Sequence, residues 1–144
     1  MEERYISDIK NTSRSIRFKH TLQDDEVVID ANNHEIVEYE YGILNLDDGT
    51  FQDTYGAKDA DFQELQNAAK KINRFMPFEK YILNLSKIIG FTCYPEDLMV
   101  MLVTKKATHN VEVSNKENYE KLVEFLKSRY NAAIEYEIID LKDL

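Results

Sequence analysis

In the stretch SIRFKHTL (15–22), Ile16, Phe18, His20 and Leu22 fall on one side of the chain, and Arg17 and Lys19 on the other. Side chains that alternate with a period of two suit an extended strand with one buried face, so a sheet is required before anything else is decided. The pattern continues in EVVID (26–30) and EIVEYEYGILNL (35–46), with ANNH between them as a hairpin turn and LDDGTF (46–51) as a second turn. LMVMLVT (98–104) is apolar on both sides and reads as a central strand. KKAT (105–108) turns it into HNVEV (109–113), and AAIEYEIID (132–140) alternates once more.

Helical spacing fills the intervals. In residues 59–75, Phe62, Leu65, Ala69, Ile72 and Phe75 recur at helical intervals. Asp61 and Glu64 have capping-box spacing, and Lys70, Lys71 and Arg74 stand where the helix dipole favours cations. Pro77 breaks that helix and opens a second, in which Phe78, Tyr81, Ile82, Leu85 and Ile88 form a stripe that ends at Gly90. A third helix spans 114–131, capped by Ser114 and Glu117, with Tyr119, Leu122, Val123, Leu126 and Tyr130 inward. The expected class is α+β: an antiparallel or mixed sheet with three helices. If the two helices around Pro77 are merged, the order from residue 35 becomes βαββαβ. That is a ferredoxin-like core with an N-terminal β-hairpin extension. The hairpin and helix over 98–131 would also suit the end of a pleckstrin-homology-like barrel, but a further strand after that helix argues against it.

A chain of 144 residues has the size of one domain, 1–144, able to form its own core. The single cysteine, Cys93, excludes an internal disulfide and suits a reducing compartment. No apolar leader opens the sequence, and the longest apolar run, LMVMLV, falls far short of the roughly 20 residues a membrane helix needs. The expected location is the cytoplasm, of the protein's own cell or of a host.

Few catalytic chemistries find their residues here. Cys93 has Glu96 and Asp97 beside it, which disfavour a thiolate, so a packed thiol is the better reading. His20, His34 and His109 lack zinc spacing, and His20 and His109 sit on apolar strand faces as core-edge residues. Asn45, Asp47, Asp48 and Asp53 offer oxygens to a hard cation without EF-hand spacing, so they read as a solvated turn. Glu38 with Glu40, and Glu135 with Glu137, lie about 7 Å apart on strand faces. That separation suits paired-carboxylate hydrolysis, but an open face does not supply the cleft. The four glycines form no phosphate-binding motif. No catalytic residue, cofactor or metal is therefore assigned.

The charge is unevenly spread. Of the 27 acidic residues, 13 fall within residues 24–64, accompanied by one base, Lys58. Phosphate would be repelled there, so direct nucleic-acid binding and membrane binding are not expected. Solubility through self-repulsion is the plain reading. The sharper one is a surface complementary to a basic site on a partner protein, such as a nucleic-acid-binding protein. Its carboxylates would be Asp30, Glu35, Glu38, Glu40, Asp47, Asp48 and Asp53, with Tyr39, Tyr41 and Tyr55 as aromatic anchors. The expected function is a small non-enzymatic binding module. It would be an inhibitor of nucleic-acid-handling machinery encoded by a virus or mobile element, or an immunity protein that neutralises a toxin. A ligand-binding or scaffold domain whose acidity only solvates it is the alternative.

Overall fold

The structure, a computed structural model, describes residues 6–20, 26–47 and 58–130. They form a mixed α+β architecture of three antiparallel sheets and two α-helices. The chain divides into two compact units, Met1–Ser86 and Lys87–Leu144. Neither described helix is long and apolar enough to cross a membrane.

The first unit opens with a sheet in the order β1-β2-β3, from Ile6–Asn11, Ser15–His20 and Glu26–Asp30. The alternation read in residues 15–20 is realised: Ile16, Phe18 and His20 are buried, while Arg17 and Lys19 are exposed. β2 and β3 pair antiparallel from Ser15 opposite Asp30 to Lys19 opposite Glu26, and an Arg17–Glu26 ion pair of 3.1 Å crosses them on the outer face. The expected N-terminal hairpin is present and gains β1 as a third strand, which bulges at Asp8 in the left-handed region.

The second sheet has the order β5-β4-β7-β6, from Ile43–Leu46, Ile36–Glu40, Tyr81–Asn84 and Phe75–Phe78. Three expectations need correction here. Residues 35–46 are two strands, because Tyr41 and Gly42 both take positive φ (53° and 75°) and fold the chain back with Glu40 opposite Ile43. That is the signature of a two-residue type I′ hairpin. ANNH turns the chain but joins no paired strands: β3 belongs to the first sheet and β4 to the second. Residues 77–90 are not a helix. Phe75–Phe78 and Tyr81–Asn84 form a hairpin through Glu79-Lys80, with Pro77 on the edge strand, where its missing N–H is tolerated. Among the described residues the three-helix count therefore becomes two α-helices, and the described elements do not run in βαββαβ order.

The first helix, α1, is Asp59–Ala69, shorter than the periodicity suggested. Lys58 is its N-cap residue, and Asp61 is the residue that reaches back, accepting the Lys58 N–H at 3.3 Å. Lys70, Lys71 and Arg74 lie beyond the last turn, and Phe75 opens β6. Even so, the apolar stripe points as expected. Phe62, Leu65, Ala69 and Ile72 join Ile16, Phe18, Ile29, Val37, Leu44 and Ile82 in one core, with α1 packed against β1, β2 and β6.

The second unit contains a sheet in the order β10-β9-β8, from Thr108–Glu112, Met99–Val103 and Gly90–Tyr94. β9 is central, as its two apolar faces required, and Thr104–Ala107 turns it into β10 through hydrogen bonds to the Thr104 hydroxyl. β8 was not read from the sequence. The second helix, α2, is Lys116–Tyr130, with Tyr119, Leu122 and Leu126 buried. Its cap is Asn115 and not Ser114: the Asn115 Oδ1 accepts the Asn118 N–H at 2.8 Å. The expected strand over 132–140 lies outside the described residues.

Candidate functional site

The two glutamates of VEYEYG stand on β4 at alternate positions, so both project from one face, and Val37 and Tyr39 project from the other. The Val37 and Tyr39 side is the inner one. There the Tyr39 ring stacks on Phe62 of α1 with centroids 5.0 Å apart and planes inclined by 12°. Glu38 and Glu40 are half-buried, and Glu40 meets the Lys80 ammonium at 3.3 Å. Burial alone would lower the pKa of Lys80. Tyr81, the Glu40 hydrogen bond and the charges of Glu38 and Glu40 outweigh it and hold the pKa above the ordinary lysine value.

At the end of β4 the hairpin turns on Tyr41, which is 91% exposed. A side chain with a Cβ costs roughly 1–2 kcal/mol in left-handed backbone. Asn, Asp or Gly is the usual occupant of this turn position, so a bare tyrosine here has no packing justification.

Other members of the expected acidic surface have structural work. Glu35 is 5% exposed. Asp47 accepts the backbone N–H groups of Glu35 at 2.9 Å and Ile36 at 3.4 Å, fastening the start of β4 to the end of β5. Asp30 accepts the Asn32 N–H at 2.8 Å in an Asx turn. Asp61 is fully buried. Glu26 is in the first sheet and Glu38 and Glu40 are in the second, so the segment's charges are distributed over several environments. The structure brings together Glu38, Glu40, Tyr41 and the Lys80 turn. Asp48, Asp53 and Tyr55 lie outside the described residues.

Sequence reasoning missed a cleft of about 320 Å³ beside this hairpin. The first turn of α1 supplies Asp59 and Phe62, β4 supplies Tyr39, and the β6–β7 turn supplies Glu79 and Lys80. Gln66 closes it, donating from Nε2 to the carbonyls of Glu79 at 2.7 Å and Tyr81 at 3.1 Å. The Tyr39 N–H donates to the Lys80 carbonyl at 2.8 Å, which fixes the turn against β4. Burial raises the Tyr39 hydroxyl to about 12, aided by a hydrogen bond to Asp59 and the charges of Asp59 and Asp61. No sequence motif marks this cleft, because its residues come from three elements of different period.

Behind α1, His20 is buried beside Asp61; desolvation lowers its pKa and the Asp61 charge opposes the shift. His34 accepts the Asp30 N–H through Nδ1 at 3.0 Å, a turn-locking role. In the second unit Cys93 is half-buried and hydrogen-bonded to Tyr119, whose hydroxyl is raised to about 12 by burial and by that thiol. No family model, curated protein or solved structure matches the chain.

Proposed function

We propose that the chain is a small non-enzymatic binding protein that docks its β4–β5 hairpin onto a basic surface of a partner protein and blocks it. It acts in the cytosol of its own or a host cell, as an inhibitor of nucleic-acid-handling machinery or as a toxin-neutralising immunity protein. The observation that carries this reading is Tyr41: a large aromatic side chain, 91% exposed in a strained left-handed turn, next to the half-exposed Glu38 and Glu40. An exposed aromatic anchor ringed by charge has the composition of an interface hot spot. Stability gains nothing from placing it there.

The charge balance supports the same reading. The first unit holds 17 acidic and 10 basic residues, so it carries −7 of the −9 total. Opposite charges on the partner would accelerate encounter and exclude wrong partners, with a strong dependence on salt. The test is the Glu38→Lys/Glu40→Lys double variant, assayed for partner binding with its fold checked by circular dichroism. Reversal removes the Glu40–Lys80 pair, which is solvent-accessible and worth about 0–1 kcal/mol, and the attraction of Glu38 for the same ammonium, so the fold should survive while binding is lost. Normal binding by a folded double variant removes this face as the site.

The ligand-binding alternative is favoured by one observation, the cleft beside the hairpin. Binding of a small neutral molecule there, unaffected by salt, would promote it over the docking reading.

A further inference from the structure

We infer that the cleft between α1, β4 and the β6–β7 turn receives an arginine side chain of the partner protein. This rests on the docking reading above and specifies one contact within it. At about 320 Å³ the cleft lies at the low end of the roughly 300–1,000 Å³ typical of small-ligand sites, which leaves room for an arginine side chain.

The lining is rich in acceptors. Asp59 and Glu79 contribute carboxylates. Gln66 has directed its amide nitrogen to two backbone carbonyls, so the group it can offer an occupant is Oε1. Lys80, the cation of the lining, is drawn toward Glu40. One wall is the Tyr39–Phe62 stack.

The occupant must therefore carry positive charge, several N–H donors and a flat apolar surface. A guanidinium has all three: five donors in a planar fork, no acceptor, and a face that stacks on aromatic rings. An ammonium lacks the plane and the fork. Phosphates and carboxylates are excluded by the two acidic side chains. The N-terminus of α1 would itself repel a cation, but Asp59 and Asp61 in its first turn offset that. Free arginine carries an α-ammonium and an α-carboxylate whose charges cancel, so its guanidinium remains the group the two carboxylates would select, as in a residue within a polypeptide. The cleft lies on the Tyr39 side of β4, opposite Glu38 and Glu40, and the Lys80 turn, bonded to both Tyr39 and Glu40, borders the cleft and the proposed docking edge.

The test is a backbone-amide NMR titration of the full chain with three probes: N-acetyl-arginine methylamide, its neutral citrulline counterpart, and free L-arginine. Capped arginine should give saturable shifts centred on residues 59–66 and 79–81. The citrulline probe should bind about tenfold more weakly, as the loss of one charge-assisted contact requires, and free arginine should shift the same positions through its guanidinium. Asp59→Asn and, separately, Glu79→Gln should each weaken capped arginine by a similar factor with the remaining spectrum unchanged. Absence of saturable shifts at those positions with capped arginine, or an equal response to citrulline, overturns the inference. If capped arginine fails while charge reversal at Glu38 and Glu40 still abolishes partner binding, the slot is wrong and the docking face stands. If the cleft binds capped arginine but a folded Glu38→Lys/Glu40→Lys variant keeps its partner, the docking reading falls, and with it the assignment of the arginine to a partner on that face.

Discussion

Tyr41 and His20 stand in different relations to stability. Tyr41 pays for a left-handed conformation with no buried area in return. Tyr41→Asn, a residue that tolerates this backbone, should raise stability by about 0.5–1 kcal/mol in urea denaturation. On the docking account the same substitution should weaken partner binding at least tenfold, as loss of an aromatic hot spot does. A gain in stability without loss of affinity would make Tyr41 a bystander. His20 is different, a buried base whose folded pKa lies below the ordinary 6.5. Above pH 6.5 it is neutral folded or unfolded and costs nothing. As pH falls from 6.5 toward the depressed folded value, the unfolded chain takes up the proton first, and stability declines. The slope is bounded by about 1.4 kcal/mol per pH unit. Urea midpoints measured from pH 7.5 to 5 should fall for the wild-type chain, and this component should be missing from His20→Gln.

At the scale of elements, Asn84 joins what the strand order separates. It is 1% exposed, its amide donates to the carbonyls of Ala31 at 2.7 Å and His34 at 2.5 Å, and its Oδ1 accepts from Ser86. The 31–34 turn, which leads from the first sheet to the second, is thereby fastened to β7. Asn84→Leu should cost about 2–4 kcal/mol by leaving two carbonyls without that donor; a loss under 1 kcal/mol in equilibrium denaturation would show that the turn holds itself. The same element explains where the sequence misleads. Tyr81, Ile82, Leu83 and Asn84 are all buried, because β7 is an interior strand covered on both faces. Such a strand loses its period-two alternation, and with Phe78, Leu85 and Ile88 it imitates a helical stripe. The Glu79-Lys80 turn gives no warning, since Glu79 holds its positive φ of 46° without glycine. By contrast, β2, β3, β9 and α2 were legible because each has one consistent buried face or, for β9, an unmistakable apolar run. Of the candidate site, Glu38 and Glu40 were readable from their alternation and charge, and Tyr41 from its place beside them. The cleft was not, because Asp59, Gln66 and Glu79 meet only through the packing of α1 on the second sheet.

Across the whole molecule, charge is the property with the widest reach. Thirteen carboxylates in 41 residues suggested a single acidic face. The fold uses several of them internally: Asp47 and Asp30 satisfy backbone donors, and Glu35 and Asp61 are buried. What remains at the hairpin is smaller and more specific, two glutamates and an aromatic tip beside an acceptor-lined cleft. Affinity for a basic partner should consequently depend on salt through a few charges. Raising ionic strength from about 0.05 to 0.5 M, which shortens the screening length from roughly 14 to 4 Å, should weaken binding without unfolding either unit. The most direct measurement compares partner capture by the wild-type chain and by Glu38→Lys/Glu40→Lys, each at low and high ionic strength, with circular dichroism confirming the fold. The account requires capture by the wild type that fades with salt and none by the double variant. Equal, salt-insensitive capture by both would contradict it.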